Sequence, residues 1–294
     1  MKNINTLIGD IYDLVGSETG WFDEALARVF SEELGTRLIQ NLAPKDAVPT
    51  LRLSQMGPRC PRSLWASIHS PSVAELLPPQ ARIKFTYGHL IEALVIAMAK
   101  AAGHEVTGEQ DELIVDGIKG HRDCVIDGCL VDVKSASSLS FQKFKDGSIR
   151  ENDTFGYLDQ LDGYLLGSLN DDLVRVKDRA YLLAVDKQLG HMCLYEHILR
   201  ESNIRSRISK YKSIVLLETP PACECGTVPD GESGNIKLDT RASYNNFKHF
   251  CFPNLRTFLY SNGPRFLTEV KRRPKRRDGS YILEVNKDGK IIYN

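Results

Sequence analysis

The strongest constraint on the fold is a block of short runs in which apolar and polar residues alternate. The runs are Glu105 to Glu109, Leu113 to Val115, Gly120 to Ile126 and Leu130 to Lys134. Period-two alternation of this length predicts half-buried β-strands. Asp127-Gly128 separates the last two runs, and this dipeptide is typical of a two-residue hairpin. We therefore expect an antiparallel strand pair here, with its register fixed by the turn.

Helical patterns lie on both sides of this block. Asn3 to Leu42 carries apolar residues at three- and four-residue spacing, and Pro78-Pro79 introduces a long helix over about Gln80 to Ala102. Further on, Gly156 to Leu166 reads as a helix, and two more strand runs follow over 179–186 and 192–197. This order predicts an α/β fold in which helices flank a central mixed β-sheet, preceded by a helical N-terminal extension over residues 1–58.

Composition places the chain among globular proteins. Of 294 residues, 42% are hydrophobic and 26% are charged, which excludes disordered and fibrous classes. No apolar run approaches the length of a transmembrane helix, and the first residues lack the layout of a signal peptide. Seven cysteines are an odd number, so we expect reduced thiols and a cytoplasmic location.

The net charge of zero conceals an uneven distribution. Residues 200–294 contain 18 Lys and Arg against 10 Asp and Glu, whereas the first 199 residues contain 20 against 28. A carboxylate-rich site combined with a phosphate-binding surface would produce this division, and so would ordinary drift in surface charge. Charge alone therefore leaves both interpretations open.

An acidic pair with a lysine is the most informative constellation. Period two places Asp132 and Lys134 on one strand face and Val131 and Val133 on the other. If the strands pair through the predicted turn, Asp123 lies beside Asp132. Two converging carboxylates are oxygen ligands suited to Mg²⁺ or Mn²⁺. A lysine next to such a metal can orient a water molecule or stabilise charge on a phosphoryl oxygen.

Four motifs extend this constellation in a fixed order. They are Gly88-His89-Leu90-Ile91-Glu92 on the long helix, Asp123, Asp132-Val133-Lys134 on the strand, and Gln160-Leu161-Asp162-Gly163-Tyr164 on a later helix. Together they resemble the motifs of the PD-(D/E)XK nuclease superfamily, in particular its RecB-like exonuclease branch, which also occurs in phage genomes. The resemblance covers roughly residues 59–164 and continues more weakly to about 270. It implies a restriction-endonuclease-like core in a nuclease domain over residues 59–294, ending in a basic segment.

The resemblance also implies a role for each matched residue. The implied ligands of Mg²⁺ or Mn²⁺ are Asp123, Asp132, the Val133 carbonyl, and Glu92, His89 or both. Lys134 would position or activate the attacking water. Gln160 and Tyr164 would contact the DNA strand or support Lys134.

The implied activity is metal-dependent hydrolysis of DNA by an exonuclease acting at ends or on single strands. Two other functions remain open: a structure-specific endonuclease, and a non-catalytic nucleic-acid-binding module on a nuclease fold. DNA is the expected partner, with a replication or recombination protein as a further one. The expected location is the cytosol of a bacterium or of a phage-infected host.

The cysteines match only part of a related pattern. Nucleases of the AddB type hold a [4Fe–4S] cluster with one Cys before the first helix and three near the C-terminus. Cys60 and Cys251 match the first and last positions, but Ala242 and Asn245 stand at the other two. The Cys-Glu-Cys sequence at 223–225 offers replacements, although its spacing suits a tetrahedral site poorly. Because a cluster usually needs four thiolates, we expect no [4Fe–4S] cluster.

Several residues are candidates for contacting the DNA backbone. They are Arg59, Arg62, Ser135, Lys143, Lys271, Arg272, Arg273, Lys275, Arg276 and Arg277. The last six form a basic run interrupted only by Pro274. Such a run binds phosphate groups in many nucleic-acid-binding proteins. Taken alone, it would equally suit a disordered basic tail.

Overall fold

The computed structural model describes residues 2–18, 20, 21, 23–42 and 48–292. The chain divides into two compact units. The first comprises residues 1–57 and 78–208, and the second comprises residues 58–77 and 209–294. The division expected from the sequence, an extension over 1–58 and a nuclease domain over 59–294, separates the chain differently. It stays a prediction, because compactness does not test which segments fold independently.

The described residues of both units form nine α-helices and twelve β-strands, numbered in chain order. The helices are α1 (Leu7–Val15), α2 (Glu24–Leu42), α3 (Pro61–His69), α4 (Pro79–Ala101), α5 (Ser138–Lys145), α6 (Tyr157–Gly167), α7 (Glu201–Val215), α8 (Thr240–Ser243) and α9 (Lys248–Cys251). The strands are β1 (Val106–Thr107), β2 (Glu112–Val115), β3 (Ile118–His121), β4 (Cys124–Ile126), β5 (Cys129–Ala136), β6 (Arg179–Asp186), β7 (Met192–Ile198), β8 (Thr227–Pro229), β9 (Ile236–Leu238), β10 (Arg256–Tyr260), β11 (Gly263–Glu269) and β12 (Glu284–Val285). Among the described residues, no helix is both long and apolar enough to span a membrane.

A five-stranded mixed sheet forms the centre of the first unit, in the order β1-β4-β5-β6-β7. β4 and β5 are antiparallel, β5 and β6 are parallel, and β6 and β7 are antiparallel. β5 is the middle strand, so most of its residues are buried. The predicted α/β class, with a central mixed sheet flanked by helices and a helical N-terminal region, is confirmed.

Helices cover the sheet because each strand of it presents two different faces. Val131 and Val133 of β5 join Leu7 of α1 and Ile96 of α4 in one hydrophobic core. Burying each of these side chains contributes about 1.5–3 kcal/mol. The alternate residues of β5 point the other way, and there Gln160 of α6 contacts Asp132. The apolar stripe of the strand thus holds the sheet in place while its polar stripe is presented to α6.

The hairpin between β4 and β5 has the predicted two-residue turn. Ile126 pairs with Cys129, and both turn residues have positive φ, 53° at Asp127 and 79° at Gly128. This conformation is that of a type I′ turn, which matches the twist of paired strands. The Asp127 carboxylate also lies 2.7 Å from Nδ1 of His104, just beyond the end of α4. The turn therefore fixes the register of β5 and connects it to the long helix.

The run predicted as one strand over 120–126 is two strands, β3 and β4, and this part of the prediction is wrong. The break falls at Arg122, where the chain passes from the two-stranded sheet of β2 and β3 to the central sheet. The Arg122 side chain is 1% exposed. Its guanidinium donates to the Gly108 carbonyl and to the carboxylates of Asp111 and Asp171. Burying a charged group requires several such partners, and reaching them takes Arg122 out of the strand pairing.

The second unit contains its own five-stranded sheet, in the order β12-β10-β11-β9-β8. The strand runs identified in the sequence do not include this sheet, whose last strand, β12, is short and is followed by a bridge between Val285 and Ile291. Its hydrophobic clusters are small. One contains the buried residues Leu238, Ala242 and Leu255, and the other Phe258, Leu267 and Ile282.

Candidate active site and cysteine cluster

Asp123 is held beside the middle strand of the first sheet. It immediately precedes β4, whose Cys124 pairs with Val131. The register therefore brings Asp123 next to Asp132 and Val133. One carboxylate oxygen of Asp123, Oδ2, accepts a hydrogen bond from the Val133 backbone N–H at 2.7 Å. The predicted proximity of Asp123 to the Asp132 strand is thus present in the structure.

Asp132 and Lys134 form a buried ion pair on the α6 side of β5. Asp132 is 1% exposed, and its Oδ2 lies 2.6 Å from Nζ of Lys134. The other carboxylate oxygen of Asp132 accepts from Nε2 of Gln160 at 3.3 Å. The ammonium of Lys134 lies 5.1 Å from the ring centroid of Tyr157, a favourable cation–π distance.

Carboxylates outnumber cationic groups at this site. Burial raises the pKa of Asp123 well above its ordinary value, and the charges of Asp132 and Glu92 raise it further. Burial also raises the pKa of Asp132, although Lys134 opposes this shift. Burial lowers the pKa of Lys134, but Asp132 and Asp123 outweigh burial and raise it overall. One ammonium for three neighbouring carboxylates leaves a donor set that a divalent cation would stabilise.

Glu92 joins the site from α4. It is 8% exposed, and its carboxylate accepts from Nε2 of Gln110 at 2.8 Å. His89, one helical turn earlier, has its Nδ1 3.9 Å from a Glu92 oxygen, and its side chain is 34% exposed. Because Glu92 is buried and electrostatically coupled to both aspartates, it is the stronger candidate for a ligand from this helix.

Gln160 and Tyr164 lie one turn apart on α6 and contact each other. Nε2 of Gln160 donates to the Tyr164 hydroxyl at 2.9 Å. Tyr164 is 4% exposed, and a side chain at Gly120 would collide with its ring. Burial raises the pKa of Tyr164. The structure shows Tyr164 in contact with Gln160, and the two roles expected for it, contact with the DNA strand and support of Lys134, stay predictions.

Ion pairs hold α6 in position. Asp162 is fully buried and accepts from the backbone N–H of Arg200 at 3.0 Å and from its Nε at 2.8 Å. Nε2 of His197 lies 2.8 Å from the same carboxylate. One turn back, Asp159 binds both Arg200 and Arg207. The helix that carries Gln160 is therefore attached to β7 and α7 by charged hydrogen bonds.

Sequence reasoning missed three residues of this neighbourhood. Gln110 orients Glu92, Tyr157 covers Lys134, and Arg122 anchors the chain directly before Asp123. None of them belongs to a motif, and a buried arginine looks the same in a sequence as an exposed one. The glycine at position 108 was a weak signal, since a side chain there would overlap the Arg122 guanidinium.

The candidates for DNA contact occupy varied surroundings. Ser135 and Lys143, on β5 and α5 of the first unit, are partly exposed. Arg59 is exposed in the second unit. Arg62 is partly buried, and its Nε donates to the Pro221 carbonyl at 2.8 Å. This bond gives Arg62 a structural role, and its contact with DNA stays a prediction.

The basic run makes hydrogen bonds and ring contacts within the second unit, and its contact with DNA stays a prediction. The buried Asn235 accepts from the backbone N–H groups of Lys271 and Arg272 at 2.8 and 2.9 Å. Lys275 forms a bridge with Tyr281, whose ring also lies beneath the Arg273 guanidinium at 4.8 Å. The exposed members are Lys271, Arg272, Lys275, Arg276 and Arg277.

Four cysteines of the second unit converge, which the sequence analysis did not expect. The Sγ atoms of Cys60, Cys223, Cys225 and Cys251 all lie within 4.8 Å of one another. Among the described residues, no comparable group of three acidic or histidine ligand atoms comes together. The Cys-x-Cys spacing therefore does not prevent a four-sulfur site, and the count of missing ligands behind the cluster prediction is wrong. Whether iron binds stays untested.

Hydrogen bonds among the four cysteine sulfurs shift the pKa values of their thiols in opposite directions. Bonds with Cys225 and Cys251 lower the pKa of Cys60, whereas bonds with Cys225 and Cys60 raise the pKa of Cys251. Asn245, at a position where the related pattern has a cysteine, donates to the sulfurs of Cys225 and Cys251 at 3.6 and 3.9 Å. A metal cation would balance the charge of these thiolates.

Comparisons with known proteins add only distant similarities. No family model matches the sequence, and no curated protein matches it. The structure is similar to that of SSO0001, with 16% identity, a TM-score of 0.40, and coverage of 76% of this chain and 96% of the other. It is also similar to a phage-related exonuclease from Haemophilus somnus 129PT, with 13% identity, a TM-score of 0.41, and coverage of 60% and 96%. A third similar structure is that of LHK-Exo, an alkaline exonuclease from Laribacter hongkongensis. The identity is 10% and the TM-score 0.31, and the match covers 63% of this chain and 94% of the other.

Proposed function

We propose that this chain is a metal-dependent DNA exonuclease, hydrolysing phosphodiester bonds at DNA ends or in single strands. The observation that carries the proposal is the convergence of Asp123, Asp132 and Lys134 on the middle strand of a mixed sheet. The order of the surrounding motifs, which resembles that of RecB-like nucleases, supports the same activity. DNA would be the substrate, and Mg²⁺ or Mn²⁺ the cofactor.

The carboxylates would hold the cation. Asp123, Asp132 and Glu92 supply charged oxygens, and the Val133 carbonyl would complete the protein ligands. A divalent cation here would make a water molecule more acidic and stabilise charge on the phosphate. The N–H of Val133 already orients the Asp123 carboxylate, whereas the three carboxylates would move closer together around the cation.

Lys134 would act as a cation rather than as a base. Its pKa is raised by Asp132 and Asp123 despite burial, so the ammonium keeps its proton at neutral pH. From this position it would orient the attacking water and stabilise negative charge on a phosphoryl oxygen. Gln160, bound to Asp132 and supported by Tyr164, would hold the pair in place.

The test compares wild type with Lys134→Ala on end-labelled linear DNA and on covalently closed circular DNA. With Mg²⁺ or Mn²⁺, we expect wild type to degrade the linear substrate and Lys134→Ala to be slower by about 100-fold or more. Lys119→Ala is the matched control, since Lys119 is an exposed lysine paired with Glu112 at 2.9 Å. The control should retain full activity.

Each other outcome contradicts part of the proposal. Equal degradation by wild type and Lys134→Ala would refute the catalytic assignment. Cutting of the closed circle by wild type would replace the exonuclease with an endonuclease. Binding of DNA without degradation under either metal would identify a non-catalytic nucleic-acid-binding module.

A further inference from the structure

The cysteine cluster of the second unit has the dimensions of a mononuclear metal site. Sγ of Cys60 lies 3.8 Å from Sγ of Cys223 and 3.9 Å from Sγ of Cys251. Zinc binds thiolates at about 2.3 Å, and a regular tetrahedron with bonds of that length has edges of about 3.8 Å. These two separations are therefore close to the edge of a four-thiolate zinc site, and the remaining ones do not exceed 4.8 Å.

The same distances disagree with a [4Fe–4S] cluster. In a cubane, each thiolate binds a different iron at a separate corner, so the four thiolate sulfurs point away from one another. They would stand well beyond the 4.8 Å within which these four sulfurs lie. Fitting a cubane would require the loop at 223–225 and the end of α9 to move apart.

The surroundings of the sulfurs are those of metal-bound thiolates. The backbone N–H of Glu224 donates to Cys60 at 3.3 Å, and Nδ2 of Asn245 donates to Cys225 at 3.6 Å. Such donors orient thiolate ligands and offset their negative charge. Cys60 also stands at the N-terminal end of α3, where the helix dipole favours an anion.

The site would connect segments of the second unit that are distant in sequence. Cys60 and Cys251 are 191 residues apart in sequence, and Cys223 lies in an irregular segment between them. The hydrophobic cluster that includes Cys225 has Leu238, Ala242 and Leu255 as its buried members among the residues that the structure describes. A small core of this kind commonly depends on a structural metal for its stability.

We propose that Cys60, Cys223, Cys225 and Cys251 bind one zinc ion as a structural tetrathiolate site. This inference goes beyond the proposed nuclease function and is independent of it. The zinc site would carry no open coordination position, since four protein ligands complete a tetrahedron. Its role would be to fix the loop at 223–225 between the start of α3 and the end of α9.

The test is the metal content of the full chain. The protein would be produced in medium containing both iron and zinc, and purified without oxygen or chelators. We expect about one zinc per chain, with iron and acid-labile sulfide each below a tenth of an equivalent. Growth with cobalt should give the visible absorption of tetrahedral Co²⁺ bound to thiolates. Iron and sulfide in equal amounts would overturn the proposal, and so would a chain without metal.

Variants show which sulfurs bind the zinc. Cys225→Ser and Cys251→Ser should lose at least nine-tenths of the zinc after brief treatment with a chelator that leaves wild type loaded. Cys193→Ser is the matched control, because Cys193 is partly exposed on β7 and lies outside the cluster. Zinc retained by both cluster variants would refute the assignment. A zinc-bearing chain without nuclease activity would refute the proposed function and leave the zinc site standing.

Discussion

Asp123 occupies a position in which its charged form is costly. Burial and the neighbouring charges of Asp132 and Glu92 raise its pKa well above the ordinary value. Because the folded state binds this proton more tightly than the unfolded state, stability falls as the pH rises from the ordinary aspartate pKa through the raised one. Above this raised pKa, the metal-free folded protein carries the full cost of the charged carboxylate.

Asp123→Asn should therefore stabilise the metal-free protein and inactivate it. At neutral pH with EDTA, we expect its melting temperature to exceed that of wild type by a few degrees, since 1 kcal/mol corresponds to roughly 2–4 °C at about this chain length. The difference should shrink as the pH falls towards the ordinary aspartate pKa. Thermal denaturation at several pH values measures both effects.

Metal and a control variant separate this effect from general stabilisation. Added Mg²⁺ should raise the melting temperature of wild type and have little effect on Asp123→Asn. Asp288→Asn, which removes a carboxylate from an exposed turn, should change neither quantity. A lower melting temperature for Asp123→Asn in EDTA would show that the carboxylate stabilises the fold.

For single residues, the sequence predicted the placement of charged side chains where local geometry determines it. Asp123 and Asp132 could be placed together because a two-residue turn and a period of two determine where both lie. The burial of Arg122 and the contact of Gln110 with Glu92 depend on segments far apart in sequence. No local pattern encodes such contacts, so they became visible only in the structure.

Ion pairs attach the helix α6 to the segments beside it. Asp162 is fully buried, with partners on Arg200 and His197. Burial opposes the charge of Asp162, but its hydrogen bonds with His197 and Arg200 lower its pKa overall. Asp162 therefore stabilises the fold above the ordinary aspartate pKa, and this contribution is lost as the pH falls through the lowered value.

Asp162→Asn should destabilise the protein by about 3 kcal/mol at neutral pH, because it removes a fully buried carboxylate that Arg200 and His197 contact. Urea denaturation would show this as a lower free energy of unfolding. The difference from wild type should decrease in acid, where the carboxylate of wild type is itself protonated. Asp178→Asn, in an exposed pair with Arg179, is the control and should change stability little. Equal effects of the two variants would contradict the role assigned to Asp162.

Among the elements, boundaries marked by special residues were predictable. Pro79 begins α4 and Gly128 completes the β4–β5 turn, as expected from the restricted φ of proline and the positive φ open to glycine. The convergence of Cys223 and Cys225 with two distant cysteines was not predictable, because the Cys-x-Cys spacing describes only the local chain. Contacts between an irregular loop and distant residues produce no recurring residue pattern in a sequence.

Over the whole molecule, residues 1–199 carry an acidic excess and residues 200–294 a basic one. The basic excess of residues 200–294 includes the run from Lys271 to Arg277, whose turn is held by Asn235 and Tyr281. A fixed turn presents its exposed charges without the ordering cost that a disordered tail would have on binding. This favours phosphate contact as the interpretation of the run.

Replacing Arg276 and Arg277 with Gln should weaken DNA binding and reduce its salt dependence. The plot of log affinity against log salt should become shallower by about one to two units, since each lost phosphate contact on duplex DNA accounts for about 0.9. Titrations at several salt concentrations, with EDTA present, measure the slope. Lys287→Gln with Lys290→Gln removes the same charge from another exposed turn and should change the slope less. Equal effects of both double variants would show that the basic run attracts DNA only through its overall positive charge.

The turn at Asp127-Gly128 also limits how the length of this chain can vary. One extra residue there would slide β5 past β4 by a single position, exchanging the faces of Asp132 and Val133. Carboxylate would enter the hydrophobic core, and valine would replace it at the site. The exposed turn at 187–190, between β6 and β7, has no comparable restriction. Insertions should therefore be tolerated at 187–190, while the spacing from Asp123 to Asp132 stays constant among functional descendants of this chain.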